Sequence, residues 1–486
     1  MAKGTRAKSG QVAKGSKGGS LRAKPGFRIE KDSMGPMLVP EDALYAASTA
    51  RGVENFPVSG EPLPREFLRA VGLTKLAAAR VNHKLGGLST KQATVIEQAA
   101  QEVVDGTLDI HFPLDVFQTG SMTSTNMNAN EVIANRAIEL LGGERGSKAI
   151  HANDHVNMGQ SSNDMMPGAM HVAAVLVITE RLQPALKRVQ RALNAKAREF
   201  EEVVKIGRTH LMDATPVTLG QEFGGYASQM GHGIAHIEAT LPHMRELAIG
   251  GTAVGTGLNT HPKFGRMVAS ELTRLTGQRF VEAPDHFEAQ AAQDAYVATH
   301  GAFKTVAGSL MKIANDIRLL GSGPRCGIGE LALPATQPGS SIMPGKVNPV
   351  ICESVIQVGA QVYGNDVAVG LGSQWGQLDL NVMLPMMTRN FLDSAHLLAN
   401  VSNLFVDKCI TGLEANIDHC EGLIEGSLAM VTALNPKIGY DASAEIAKEA
   451  FSTGVTVRSL VVKKKLLTAK QAAKILDPRT MLAPKA

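Results

Sequence analysis

The sequence predicts an all-α fold, with long helices bundled through the middle of the chain and smaller helical units on either side. Three observations predict it. Apolar residues recur at helical spacing: Phe303, Val306, Leu310, Ile313 and Ile317 follow steps of 3, 4, 3 and 4, and Leu182, Leu186, Val189 and Leu193 follow steps of 4, 3 and 4. Each series lays one apolar stripe along a helix. Aromatics are only 4% of the chain while Ala, Leu, Val, Met and Gly dominate, which suits helices packed closely through small side chains better than a β-sandwich. Alternating patterns are scarce, and the few short strand candidates lie in 26–45 and around 331–334.

At 486 residues the chain exceeds one ordinary core. Residues 1–27 read as a disordered basic tail, 28–163 as an N-terminal helical domain, 164–417 as the central bundle and 418–486 as a small C-terminal helical domain. The net charge of +4 is unevenly spread: residues 1–28 hold eight Lys and Arg and no acid, which leaves the rest at −4. Three readings fit the tail: a solvated extension, a loose contact to nucleic acid or another polyanion, and, least, a mitochondrial targeting segment. Pro184 should start or kink its helix, and Asp164 fits the cap of another. Cys326, Cys352, Cys409 and Cys420 show no CxxC spacing and follow no secretory signal, so they read as reduced, mostly buried thiols in a cytoplasmic compartment. No 18-residue apolar run is apparent, and no membrane span is expected.

The most informative stretch is Gly339-Ser340-Ser341-Ile342-Met343-Pro344-Gly345-Lys346-Val347-Asn348-Pro349. It sets two hydroxyls, an ammonium and an amide between glycines and prolines. Such a segment does not form a helix. It forms a loop able to wrap donors around a small anion.

This stretch resembles the signature loop of the fumarase/aspartase superfamily. The resemblance continues through QTGSMTSTNMNANEVIANRA (118–137), IHANDHVNMGQSSND (150–164), KIGRTHLMDATPVTLGQE (205–222), GGTAVGTGLNTHP (250–262) and GSGPRCGIGE (321–330), and covers roughly residues 28–486. It implies three helical domains, a bundle shared by the four copies of a homotetramer, and active sites drawn from several subunits. It also implies elimination of water or an amine from the carbon β to a carboxylate, on a small dicarboxylate and without a cofactor.

The resemblance further implies residue roles. Ser340 is the base, with Lys346 as the nearby cation. His210, in GRTH, moves a proton through water and is paired with Glu353. Ser341, Asn348, Thr209, Ser121, Thr123, Ser161, Ser162 and Asn163 bind substrate. His151, Asn153 and Asp154 resemble a second, non-catalytic carboxylate site. Asn126, Asn128 and Asn130 read as structural, and Arg325 as a support.

Two positions depart from the family pattern. Met122 stands where a small residue is usual, which puts the pocket wall in question, and Ala152 replaces a proline in the second site. His210, THP at 260–262 and MPGK at 343–346 look like the metal-independent fumarate hydratase branch; GQLDLNVMLP and KCITGLEAN look closer to aspartate ammonia-lyases. The hydratase branch is the expectation, with fumarate and malate as substrates. The ammonia-lyase is the alternative, and a non-catalytic scaffold on a lyase fold is the alternative from another class. The His232/His236 and His151/His155 spacings lack a third ligand, so no metal is expected. GGTAVGTG lacks both nucleotide-loop spacings and reads as a loop lining the site.

Overall fold

The computed structural model describes residues 24–484. Most of the basic tail lies outside them. The described chain starts with an antiparallel pair, β1 (Phe27–Asp32) and β2 (Gly35–Pro40), within the first stretch read as strand-like. Helices Arg65–Lys84, Thr90–Asp105 and Thr123–Leu140 follow. The second starts at a capping box in which Ser89 and Gln92 satisfy each other's backbone N–H, and it stops at Gly106, whose φ of 85° is easy only for glycine.

Five long helical runs build the centre. Ser162–Glu199 is one 38-residue run. It consists of helix Ser162–Val177, a π turn at Ile178–Leu182, and helix Gln183–Glu199, whose first turn holds Pro184. The others are Leu219–Met244, Asp294–Leu320, Val350–Ser373 and Leu384–Lys408. The helix Asp294–Leu320 lies along both Leu219–Met244 and Val350–Ser373, and the last lies along Leu384–Lys408. Both apolar stripes face the core: Phe303, Val306, Ile313, Ile317, Leu182, Leu186, Val189 and Leu193 are fully buried. At roughly 1.5–3 kcal/mol for each large side chain removed from water, these stripes hold the bundle.

Ser162–Glu199 is also long and apolar enough to cross a membrane, contrary to the sequence expectation that no such run exists. Its apolar window is 83% buried within the protein, which makes it a core helix. Cys352, Cys409 and Cys420 are buried free thiols, and Cys326 is exposed.

Of the strand pairs outside the two expected stretches, one is long. Strands β3 (Val204–Thr209) and β4 (Met212–Thr218) form an antiparallel hairpin, with Val204 opposite Thr218 and Thr209 opposite Met212. The β-branched residues Val203, Val204, Ile206, Thr215, Val217 and Thr218 favour strands, but the turn contains none of the glycine or asparagine that normally marks a hairpin. The register shifts at Gly207, where a Cβ would lie 2.6 Å from the Thr215 carbonyl oxygen. Val204 and Ile206 pack into a second apolar cluster with Ile424, Leu434, Ile446 and Leu460 of the C-terminal helices.

Candidate active site

The Gly339–Pro349 segment is a closed loop. The Gly339 N–H donates to the Lys346 carbonyl at 2.7 Å, and the Asn348 side-chain amide donates to the Gly339 carbonyl at 2.7 Å. Gly339 is required: a Cβ there would lie 2.7 Å from the Lys346 oxygen. Gly345 takes a φ of 80°. Inside this loop the Ser340 Oγ accepts from the backbone N–H of Ile342 at 3.2 Å and of Met343 at 3.0 Å. Two aimed donors favour negative charge on that oxygen. Ser341 and Lys346 are exposed, and Asn348 is half-buried with its amide committed to the loop. An open cleft of about 850 Å³ runs from Gly345–Pro349 to Asn315, Arg318, Ser322 and Pro324. The loop leads directly into helix Val350–Ser373, whose first turn carries Glu353.

His210 stands at the tip of the β3–β4 hairpin. His210 and Leu211 form the whole two-residue turn, both left-handed, with φ of 56° and 61°. That geometry matches the twist of paired strands but is costly for both residues. Thr209 ends β3. A buried ion cluster anchors the base of the hairpin. Arg208 donates to both oxygens of Glu330 at 2.9 Å, Lys205 lies 3.2 Å from Glu330 and 2.9 Å from Glu222, and Glu330 and Lys205 are essentially inaccessible to solvent. Burial raises the Glu222 carboxyl, and the neighbouring Lys205 opposes that shift. Sequence reading misses Lys205, Glu222 and Glu330; two acids and two bases on otherwise apolar segments are the signal that could have exposed them.

The third group is a wall of neutral donors. Ser121 and Thr123 bond to each other at 2.9 Å. Ser161, not Asp164 as expected from sequence, caps the helix Ser162–Val177, and Asp164 sits in the first turn as its capping-box partner. The Ser162 Oγ accepts from Asn126 Nδ2 at 3.0 Å, and Asn163 Nδ2 donates to the Ala253 carbonyl at 2.8 Å. Asp164 is fully buried; its carboxylate accepts from the N–H groups of Ser161, Gly250 and Thr252, tying this turn to the glycine-rich loop. Met122 follows Ser121 at the start of the helix Thr123–Leu140. Its side chain is fully buried in the main core, and the residue takes a φ of 57°. In the second carboxylate motif, His151 Nδ1 accepts from the Asp154 N–H at 3.1 Å, Asn153 and Asp154 face solvent, and Ala152 opens a π turn.

Within one chain these groups remain apart. Among the described residues, no hydrogen bond or ion pair joins His210 to Glu353, or either of them to Ser340 or to Ser161–Asn163. Apolar side chains beside the loop and the hairpin tip are bare: Ile342 is 84% exposed and Leu211 is 74% exposed.

A helical bundle carrying the Gly339–Pro349 loop, a histidine turn and a polar wall fits an all-α lyase, and known proteins agree. A family described as lyase matches residues 35–364, and one described as fumarase C C-terminus matches residues 430–483. A protein of Nitrosomonas europaea named fumarate hydratase class II is 53% identical over 456 residues, covering 94% of this chain and 99% of its own. The Homo sapiens protein named fumarate hydratase, mitochondrial, is 52% identical over 468 residues, covering 96% and 92%. The crystal structure of a class II fumarase from Schistosoma mansoni superposes with a TM-score of 0.92 at 40% identity, covering 95% of this chain and all of that one. The chain belongs to the lyase family, in its class II fumarate hydratase branch.

Proposed function

We infer that the protein catalyses the reversible hydration of fumarate to (S)-malate, with Ser340 as base. The observation that carries this reading is the Ser340 oxygen resting on two backbone N–H groups inside the loop. A serine hydroxyl is a poor base unless its alkoxide is stabilised, and two donors with a lysine in the same loop are what stabilisation requires. In the dehydration direction Ser340 takes the C3 proton of malate. Charge then builds on the adjacent carboxylate, where Lys346, Ser341 and Asn348 receive it. The leaving hydroxide needs a proton, which His210 delivers through water while Glu353 orients the ring. Thr209, Ser121, Thr123 and Ser161–Asn163 hold the dianion by hydrogen bonds from neutral groups.

The working site takes parts from several copies of the chain, in a homotetramer. Glu353 and His210 have no ion-pair partner within one described chain, and the helix Val350–Ser373 supports the same reading. It is apolar on nearly every side, yet Tyr363, Val367 and Leu371 stay 45–62% exposed. Helices of that composition are normally covered all round. The three buried free thiols support a reducing compartment, which we take to be the cytoplasm.

The test is to mix the purified protein with malate and, separately, with aspartate, and to follow fumarate absorbance without added metal. Malate should give fumarate, and aspartate none or a trace. The ammonium of aspartate needs no acid, and a cationic His210 repels it by roughly 1 to several kcal/mol at a few ångströms. Faster turnover of aspartate would establish the ammonia-lyase instead, and no turnover of either would indicate the non-catalytic scaffold.

A further inference from the structure

Lys75 is a fully buried cation without a carboxylate in contact. It lies in the helix Arg65–Lys84, interrupting an apolar face that includes Leu68, Val71 and Ala78. Its ammonium donates to Asn157 Oδ1 at 3.0 Å and to Gln160 Oε1 at 2.9 Å, both neutral oxygens. The same Asn157 oxygen accepts from Asn126 Nδ2 at 3.2 Å, and that amide also donates to the Ser162 Oγ at 3.0 Å. A three-link chain therefore runs from Lys75 to the polar wall, and Gln160 immediately precedes Ser161. No oxygen of Asp164 reaches Lys75, because its carboxylate is committed to the backbone of Ser161, Gly250 and Thr252.

A buried ammonium is expensive, and a structural role would normally bring an acid into contact with it. Here the positive charge is offset only in part, by the field of Asp164 and without contact, behind the wall that receives a dianion. We propose that Lys75 is the positioning residue that sets the affinity of the Ser161–Asn163 wall for dicarboxylates, by fixing the amide orientation of Asn157 and Gln160 and by supplying a positive charge that the wall's neutral donors lack. The inference rests on the dicarboxylate reading above.

Burial pushes Lys75 down to about 7, partly offset by Asp164. Other charges on the elements around it are occupied. Glu97 of the helix Thr90–Asp105 and Glu271 of the helix Phe264–Thr276 pair with Arg80, and Glu271 also takes Arg274 and Lys84. Glu102 takes Arg136, Glu131 accepts from residues 46–49, His171 bonds to the Glu246 carbonyl, and His155 bonds to Gln92 and to the His151 N–H. On its own helix, Arg65 pairs with Asp109, Arg69 with Glu180, and Glu66 with Arg181 and His396, while His83 bonds to the Leu88 carbonyl. Lys75 therefore loses its charge as pH rises through neutrality, while the substrate stays a dianion.

The test uses the full-length enzyme and Lys75→Met, with Lys75→Gln as the second variant if the first is insoluble. In the native enzyme KM for malate should rise between pH 6 and 8.5. In Lys75→Met, KM should be about tenfold higher at pH 6 and flat with pH, while kcat stays within about threefold, as expected for one unit charge at mid-range distance. Succinate binding by calorimetry should follow the same pattern. The variant should melt at an equal or higher temperature, because removing a costly buried charge favours folding. An unchanged KM at pH 6, a KM slope that persists in the variant, or a lower melting temperature with kcat and KM falling together would overturn the proposal. If the native enzyme does not turn over malate, the hydratase reading fails by itself, and the succinate measurement still decides the role of Lys75.

Discussion

The two halves of the candidate site are built in opposite ways. The polar wall of Ser121, Thr123 and Ser161–Asn163 rests on Asn126, Asn157, Gln160 and Asp164, almost every one of them bonded inside its own chain. The other half consists of an exposed loop and an exposed hairpin tip, and the side chains of Lys346, Glu353 and His210 make no hydrogen bond or ion pair among the described residues. The wall is finished when one chain folds. The other half is prepared locally, by two N–H groups on Ser340 and a left-handed turn under His210, and stays open within one chain. This division separates the cost of a rigid binding surface from the risk of burying reactive groups before substrate arrives.

Three substitutions separate these halves, in order of effect. Ser340→Ala should lower kcat by several orders of magnitude and leave KM within a few-fold, because the base acts mainly in the transition state. Steady-state kinetics on malate checks this, and retained turnover rejects Ser340 as base. Glu330→Gln should strike stability instead. It leaves Lys205 and Arg208 facing each other without the buried carboxylate, a loss of roughly 3–5 kcal/mol. Denaturant unfolding should give a lower midpoint, with the hairpin the first region to lose protection in hydrogen exchange. An unchanged midpoint would mean that Glu222 alone holds the cluster. Ser161→Ala should have the smallest effect, about 1 kcal/mol of stability from the lost cap, together with a raised KM. If KM does not move, Ser161 is a cap and no more.

The sequence revealed the bundle because its signal is periodic: the stripes at 182–193 and 303–317 are long enough for the 3.6-residue repeat to stand out, and all nine residues are buried. It revealed the Gly339–Pro349 loop because glycine, proline and polar groups rarely concentrate in eleven residues. The hairpin was hidden because its turn is His-Leu and carries no turn signal, so that the shape is imposed from below by Glu330 and by the C-terminal helices rather than by turn chemistry. Lys75 was hidden for a related reason. A single lysine in an apolar helix reads as a surface residue until the neighbouring helices are seen to cover it. Met122 shows the converse, a departure at a motif position that the fold directs into the core.

The hairpin tip also limits how this sequence can drift. Both of its residues occupy left-handed backbone, a region closed to β-branched side chains and entered most readily by glycine and asparagine. An asparagine at 210 would therefore relieve the backbone while removing the imidazole. On the role proposed for His210, the substitution most compatible with the architecture is the one that ends the chemistry. A lineage released from selection for turnover could lose catalysis in a single step at no cost in folding, and descend as a durable helical scaffold whose loop, wall and buried ion cluster still record its former use.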